Sequence, residues 1–181
     1  DEALKEEKGV ILVSGHFGSF HKLFVAMAKN GYKNIAGISY KQNNREASRF
    51  FLELRKPYIS NEMHKGGPSS EVKKSLQNNE ILILLSDQDA GKKGVFVNFF
   101  NKPSSTPSGA ARYNQTVGSP LIFFSMVKIN SHHEANFERI DTTNMSIEDT
   151  VQKYTSMLEQ RIRKYPEQYF WPHKRWKTKP Q

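Results

Sequence analysis

The sequence predicts a single α/β domain with a mixed central sheet flanked by helices. Three observations carry this reading. Short apolar runs alternate with segments of helical spacing through the first part of the chain, the pattern of strands joined by helices. Two apolar-rich runs then follow one another around a polar turn, the pattern of an antiparallel pair. No Pro/Gly/Ser linker, internal repeat or low-complexity tract divides the 181 residues, so residues 1–181 read as one domain with room for a substantial core.

The elements follow in chain order. "GVILVS", 9–14, reads as a buried strand, and Gly15 to Gly18 form a turn. Ser19 is expected to cap a helix in which Phe20, Leu23, Phe24 and Met27 share a face, ended by Asn30-Gly31. "IAGIS", 35–39, is the next strand. Asn44 then caps a helix with Ala47, Phe50, Phe51 and Leu54 on one side, stopped by Pro57. A third helix starts at Pro68 to Ser70, with Val72 and Leu76 facing inward. "EILILLS", 80–86, is the clearest strand, followed by the loop "DQDAGKKG" and a further strand at 95–100. Thr106-Pro107 is expected to open a helix that Gly118 closes. "PLIFFSMVKI" and "HEANFERI" form the antiparallel pair around "NSHH". Ser146 and Asp149 make a capping box for a last helix carrying Ile147, Val151, Tyr154, Leu158 and Ile162 on one stripe, ended by Pro166.

Composition bounds the chemistry. Cysteine is absent, which excludes disulfides, cysteine nucleophiles and thiolate metal sites. Twelve phenylalanines, seven tyrosines and two tryptophans argue against disorder. No run approaches the roughly 18 apolar residues of a membrane span. The formal charge is +9, and residues 161–181 carry seven lysines and arginines against Glu167 alone. Such an end suits an anionic partner, or is a solvated basic tail.

Four stretches can carry chemistry. In "SGHFGSFH", 14–21, His16 stands between a strand end and a helix start, where open α/β sheets place their ligands. It can serve as a general base there, with the amides around Phe17 and Gly18 receiving an oxyanion; or it is held by local hydrogen bonds. In "LLSDQDAGKKG", 84–94, a buried strand delivers Asp87 and Asp89 to the same kind of edge, to orient a histidine, position a substrate or hold a metal, or as ordinary turn residues. Arg55, near Lys41, can clamp a phosphate or simply favour a helix C-terminus. "QYFWPHKRWKTKP", 168–180, interleaves aromatics with cations, which suits single-stranded nucleic acid, a membrane interface, or packing on the core. P-loop, GxGxxG, GxSxG and HExxH motifs are absent.

Together the ordered blocks "GVILVSGHFGSF", "SYKQNN", "LRKPYISNEMHKGG", "LLSDQDAGKKGVFVNFFNKPSSTPSGAARYNQTVGSPLI" and "PEQYFWPHKRWKTKP" resemble the lipid A biosynthesis (lauroyl or myristoyl) acyltransferases over residues 8 to 180. The resemblance implies a glycerolipid-acyltransferase-like fold. It also implies transfer of an acyl chain from an acyl carrier protein thioester to a hydroxyl of a lipid A precursor or related phosphorylated glycolipid. It places such an enzyme on the cytoplasmic face of the inner membrane, peripheral or anchored, with an anionic membrane surface and not nucleic acid as partner. Family members usually carry an N-terminal membrane helix; none precedes Asp1, so the expectation is a chain lacking that anchor.

The resemblance also implies roles. His16 is the general base, Asp87 and Arg55 organise substrate, and Gly18, Lys41 and Asp89 lie in the substrate-binding blocks. Lys174 and Arg175 would meet phosphates or acidic carrier protein, and neither metal nor bound cofactor is expected. The chain departs from the family at three places. His21 stands where an acidic residue is expected to hold the base histidine, while Lys41 and Gln42 stand in place of arginine and proline. A neutral His21 supplies no negative charge, so three expectations follow: Asp87 or Asp89 takes over the orienting role, activity is weak, or the domain only binds lipid or acidic protein.

Overall fold

The computed structural model describes residues 1–39, 44–64 and 66–180. Lys41 lies outside them, with Gln42, as do the side chains of Ala47 and Phe51. A six-stranded sheet runs in the order β3-β2-β4-β1-β7-β8. Its strands are β1 (Val10–Ser14), β2 (Ile35–Ser39), β3 (Asn61–His64), β4 (Ile81–Leu85), β7 (Leu121–Ile129) and β8 (His132–Arg139). All neighbours pair in parallel except β7 with β8. β5 (Val95–Phe99) and β6 (Lys102–Thr106) form a separate antiparallel hairpin. The helices are α1 (Lys22–Lys29), α2 (Arg45–Arg55), α3 (Ser69–Gln77), α4 (Gly109–Val117) and α5 (Ile147–Lys164). The α/β class, the mixed sheet and the flanking helices are therefore as the sequence predicts.

β1 and β4 read as unbroken apolar runs because both are central strands, covered on each face. Alternation divides β1 between two cores. Ile11 and Val13 point to the side where α3, α4 and α5 pack through Leu76, Ala110 and Leu158. Val10 and Leu12 point to the side covered by α1 through Leu23 and Met27. The stripe on α5 is as the spacing predicts: Val151, Tyr154, Leu158 and Ile162 are buried, and Ile147 packs at the margin. Its capping box is complete, with Ser146 Oγ accepting from the Asp149 amide. On α2, Asn44 caps as expected, its side-chain oxygen accepting from the Glu46 amide at 2.9 Å.

Some elements differ from the sequence reading. α1 starts at Lys22 with His21 as its cap, because the chain from Gly18 to His21 is used in a turn in which the Ser19 carbonyl accepts from the Lys22 amide. Thr106 ends a strand and does not cap; Ser108 precedes α4. β6 is masked in the sequence by Pro103, which a two-stranded hairpin tolerates. β3 is short and polar, as an edge strand can be.

Candidate active site

The sheet builds the site by register. Ser14, the last residue of β1, pairs with Leu85, the last of β4. The next residues leave the same edge side by side, and the Ser86 amide donates to the Ser14 carbonyl at 2.7 Å. His16 and Asp87 thus each stand two residues past a paired strand end. The chain after β1 goes to α1 on one face, while α4, which follows the hairpin after β4, packs on the other. This is the divergence at which open sheets form their crevice.

His16 and Asp87 meet twice. The His16 ring nitrogen Nδ1 lies 2.7 Å from Asp87 Oδ1, and the His16 amide donates to Asp87 Oδ2 at 2.9 Å. Asp87 is buried and the His16 side chain is 27% exposed, so the ring reaches solvent over a covered carboxylate. Gly15 permits this approach: a Cβ there would stand 2.9 Å from both Cβ and Cγ of Asp87. With Nδ1 engaged, Nε2 takes no hydrogen bond among the described residues. The ring lies edge-on to Phe20, with centroids 5.2 Å apart, and 6.3 Å from the half-exposed Phe170.

His21 stands apart. It is exposed, and its ring centroid lies 5.6 Å from that of Phe20, so Phe20 packs against both histidines. The amides expected to receive an oxyanion are already spent. Phe17 N–H donates to the Gly15 carbonyl and Gly18 N–H to the Gln168 carbonyl, each at 2.8 Å. The N–H groups of Phe20 and His21, at the head of α1, have no partner among the described residues.

The C-terminal segment closes the site from behind. The Phe170 amide donates to the His16 carbonyl at 3.0 Å. The Asp89 amide donates to His173 Nε2 at 2.9 Å, and the Asp89 carboxylate accepts from the Thr178 hydroxyl at 2.7 Å and the Thr178 amide at 3.0 Å. Burial pushes the Asp89 carboxyl up, but the Thr178 and Gly91 hydrogen bonds and the Arg175 charge outweigh it and hold it below its ordinary value. Arg175 is 2% exposed; it donates to the Ser105 carbonyl at 2.6 Å and to the Thr106 hydroxyl, with Phe99 beside its guanidinium. The expected substrate contacts of Asp89 and Arg175 are thus taken up inside the chain. Lys174 beside it is exposed. Arg55 donates to Glu62 Oε1 at 2.6 Å, which also accepts from Ser39, so it is tied to β3.

His173 is the residue that sequence reasoning did not single out. Burial foremost, with the Arg175 charge, pushes its imidazole below the ordinary value against the pull of Asp87 and Asp89. The buried Tyr169 hydroxyl next to Asp87 shifts the other way, pushed up by burial first and then by the Asp87 charge. Among the described residues no group of three His, Asp or Glu side chains is placed to hold a metal ion. None of the described helices is long and apolar enough to cross a membrane.

A family model described as bacterial lipid A biosynthesis acyltransferase matches residues 1–178. No curated protein matches the chain.

Proposed function

Because the chain belongs to the bacterial lipid A biosynthesis acyltransferase family, we propose that His16 is its general base and Asp87 the carboxylate that orients it. The observation that carries the proposal is the paired contact of Asp87 with the ring and the amide of His16. A carboxylate on Nδ1 fixes the tautomer that leaves Nε2 as acceptor and favours the imidazolium formed when a proton arrives. Nε2 takes the proton of an acceptor hydroxyl as its oxygen attacks the thioester carbonyl. The tetrahedral oxyanion is met by the Phe20 and His21 amides at the head of α1. Collapse breaks the carbon–sulfur bond, and the imidazolium returns the proton to the departing thiolate.

The donor is an acyl carrier protein thioester and the acceptor a hydroxyl of a lipid A precursor, reached from the cytoplasmic face of the inner membrane. The thioester is itself activated, so the reaction asks for no cofactor. Lys41, Arg55 and the exposed Lys174 are the cations proposed to meet phosphate or the acidic carrier protein. A binding-only role for the domain was motivated by the missing carboxylate at position 21, and the Asp87 contact supports the catalytic reading over it. The test is transfer from acyl carrier protein thioester to a lipid A precursor. His16→Ala should lower turnover by about 10³-fold or more; equal turnover by His16→Ala and wild type would refute the base.

A further inference from the structure

Past Phe123, its last residue paired with β1, β7 runs on with β8 beyond the sheet edge that carries His16. The Ser19 amide ties the His16 turn to this overhang, donating to the Met126 carbonyl at 2.7 Å. Phe124 and Met126 point into the core covered by α1, so alternation puts Lys128 on that same side. His133 is the register partner of Lys128 on β8. Lys22, the first residue of α1, reaches the same place: its Nζ lies 3.2 Å from His133 Nε2. Both lysines are exposed and His133 is half-buried.

Among the described residues no carboxylate pairs with any of the three. Glu134, next along β8, stands opposite Val127 and so faces the other side of the sheet. Glu167 accepts from the Gln168 side chain at 3.4 Å. The His133 imidazole is held below its ordinary value, by burial first and then by the charges of Lys22, Lys128, His21 and His132. Three basic groups gathered without an acid are a place that a compact polyvalent anion would stabilise. The cluster lies near the reacting histidine. Lys22 follows His21, whose ring packs on Phe20, and Phe20 packs on His16. A cleft of about 350 Å³ lined by Gly18, Ser19, Lys128, Glu167 and Gln168 joins the turn after His16 to Lys128. Arg55, by contrast, is tied to β3 at the other end of the sheet.

We propose that Lys22, Lys128 and His133 bind a phosphomonoester of the acceptor, which holds the acceptor in the cleft while its hydroxyl meets His16. The proposal rests on the acyltransferase reading, which makes the acceptor a phosphorylated glycolipid.

Titration of the full chain with glucose 1-phosphate and with inorganic phosphate, followed by the ring signals of His133 in NMR, tests the site without turnover. The sugar phosphate should move those signals saturably. Lys22→Ala/Lys128→Ala should weaken its binding about tenfold or more, with a melting temperature close to wild type, and Lys22→Arg/Lys128→Arg should restore it. In transfer, the alanine variant should raise KM for the phosphorylated acceptor about tenfold and leave kcat at saturating acceptor within about twofold. Removing the acceptor phosphate should erase that difference from wild type. Unmoved His133 signals, or sugar phosphate bound equally well by the alanine variant, overturn the proposal. Inorganic phosphate bound more tightly than the sugar phosphate also overturns it, by making a free anion the ligand. A rise confined to the KM of the carrier-protein thioester overturns it too, by making the acidic carrier protein the partner. Sugar phosphate held by the two lysines without any acyl transfer upholds the phosphate site and refutes the acyltransferase reading. Transfer with a KM indifferent to the acceptor phosphate and to both lysines does the reverse.

Discussion

At Gly18 the backbone holds φ at +61°, and a Cβ there would stand 2.1 Å from the Met126 carbonyl oxygen. Neither the conformation nor the space suits a side chain. Gly18→Ala should therefore destabilise the fold by about 2 kcal/mol or more, read as a lowered urea midpoint; an unchanged midpoint would contradict this. The residue was legible in the sequence as part of a turn, but its task was not. Its amide looked like an oxyanion donor, and that assignment fails because the Gln168 carbonyl, 150 positions away, has taken it. His16 was legible for the opposite reason: a strand, a glycine turn and a helix start are all local patterns. Asp87 was legible as one of two carboxylates, and only the fold separates it from Asp89. His173 left no local signal, since its partner lies 84 residues away in sequence.

Among the elements, the C-terminal segment is the one whose role changes most. As a sequence it is a basic aromatic tail. As a structure it is a strap, held by Asp89 on Thr178, by Arg175 in the β5–β6 hairpin, and by His173 on the Asp89 amide. The last contact requires an unprotonated Nε2. Burial holds the folded His173 below its ordinary value near 6.5, so below about pH 6.5 the unfolded chain binds more protons than the folded one. The stability from this contact is present above that pH and is lost as pH falls toward the folded value. Urea unfolding at about pH 7.5 and about pH 5.5 should show a larger loss for wild type than for His173→Gln; equal losses would contradict the strap. The strong local signals, such as the Ser146–Asp149 capping box and the α5 stripe, carried through to the structure. Thr106 did not, because its hairpin pairing with Val95 made it a strand residue despite its good capping chemistry.

Across the whole molecule, tertiary structure brings to His16 the carboxylate that its own local motif lacks. His16 and Asp87 lie 71 residues apart and meet only because β1 and β4 pair in register through Ser14 and Leu85. No spacing within "SGHFGSFH" can show this, which is why position 21 looked like the place where the site was broken. In the fold, His21 is an exposed cap residue whose ring packs on Phe20, while the hydrogen bond to His16 Nδ1 comes from Asp87. The most direct measurement compares Asp87→Asn with His21→Glu in acyl transfer from the carrier-protein thioester to a lipid A precursor. Asp87→Asn should lower turnover by about 10³- to 10⁴-fold while the chain stays folded, and His21→Glu should stay near wild type and not rescue the Asp87 variant. An Asp87→Asn enzyme with near-normal turnover, or a His21→Glu enzyme faster than wild type by orders of magnitude, would contradict it.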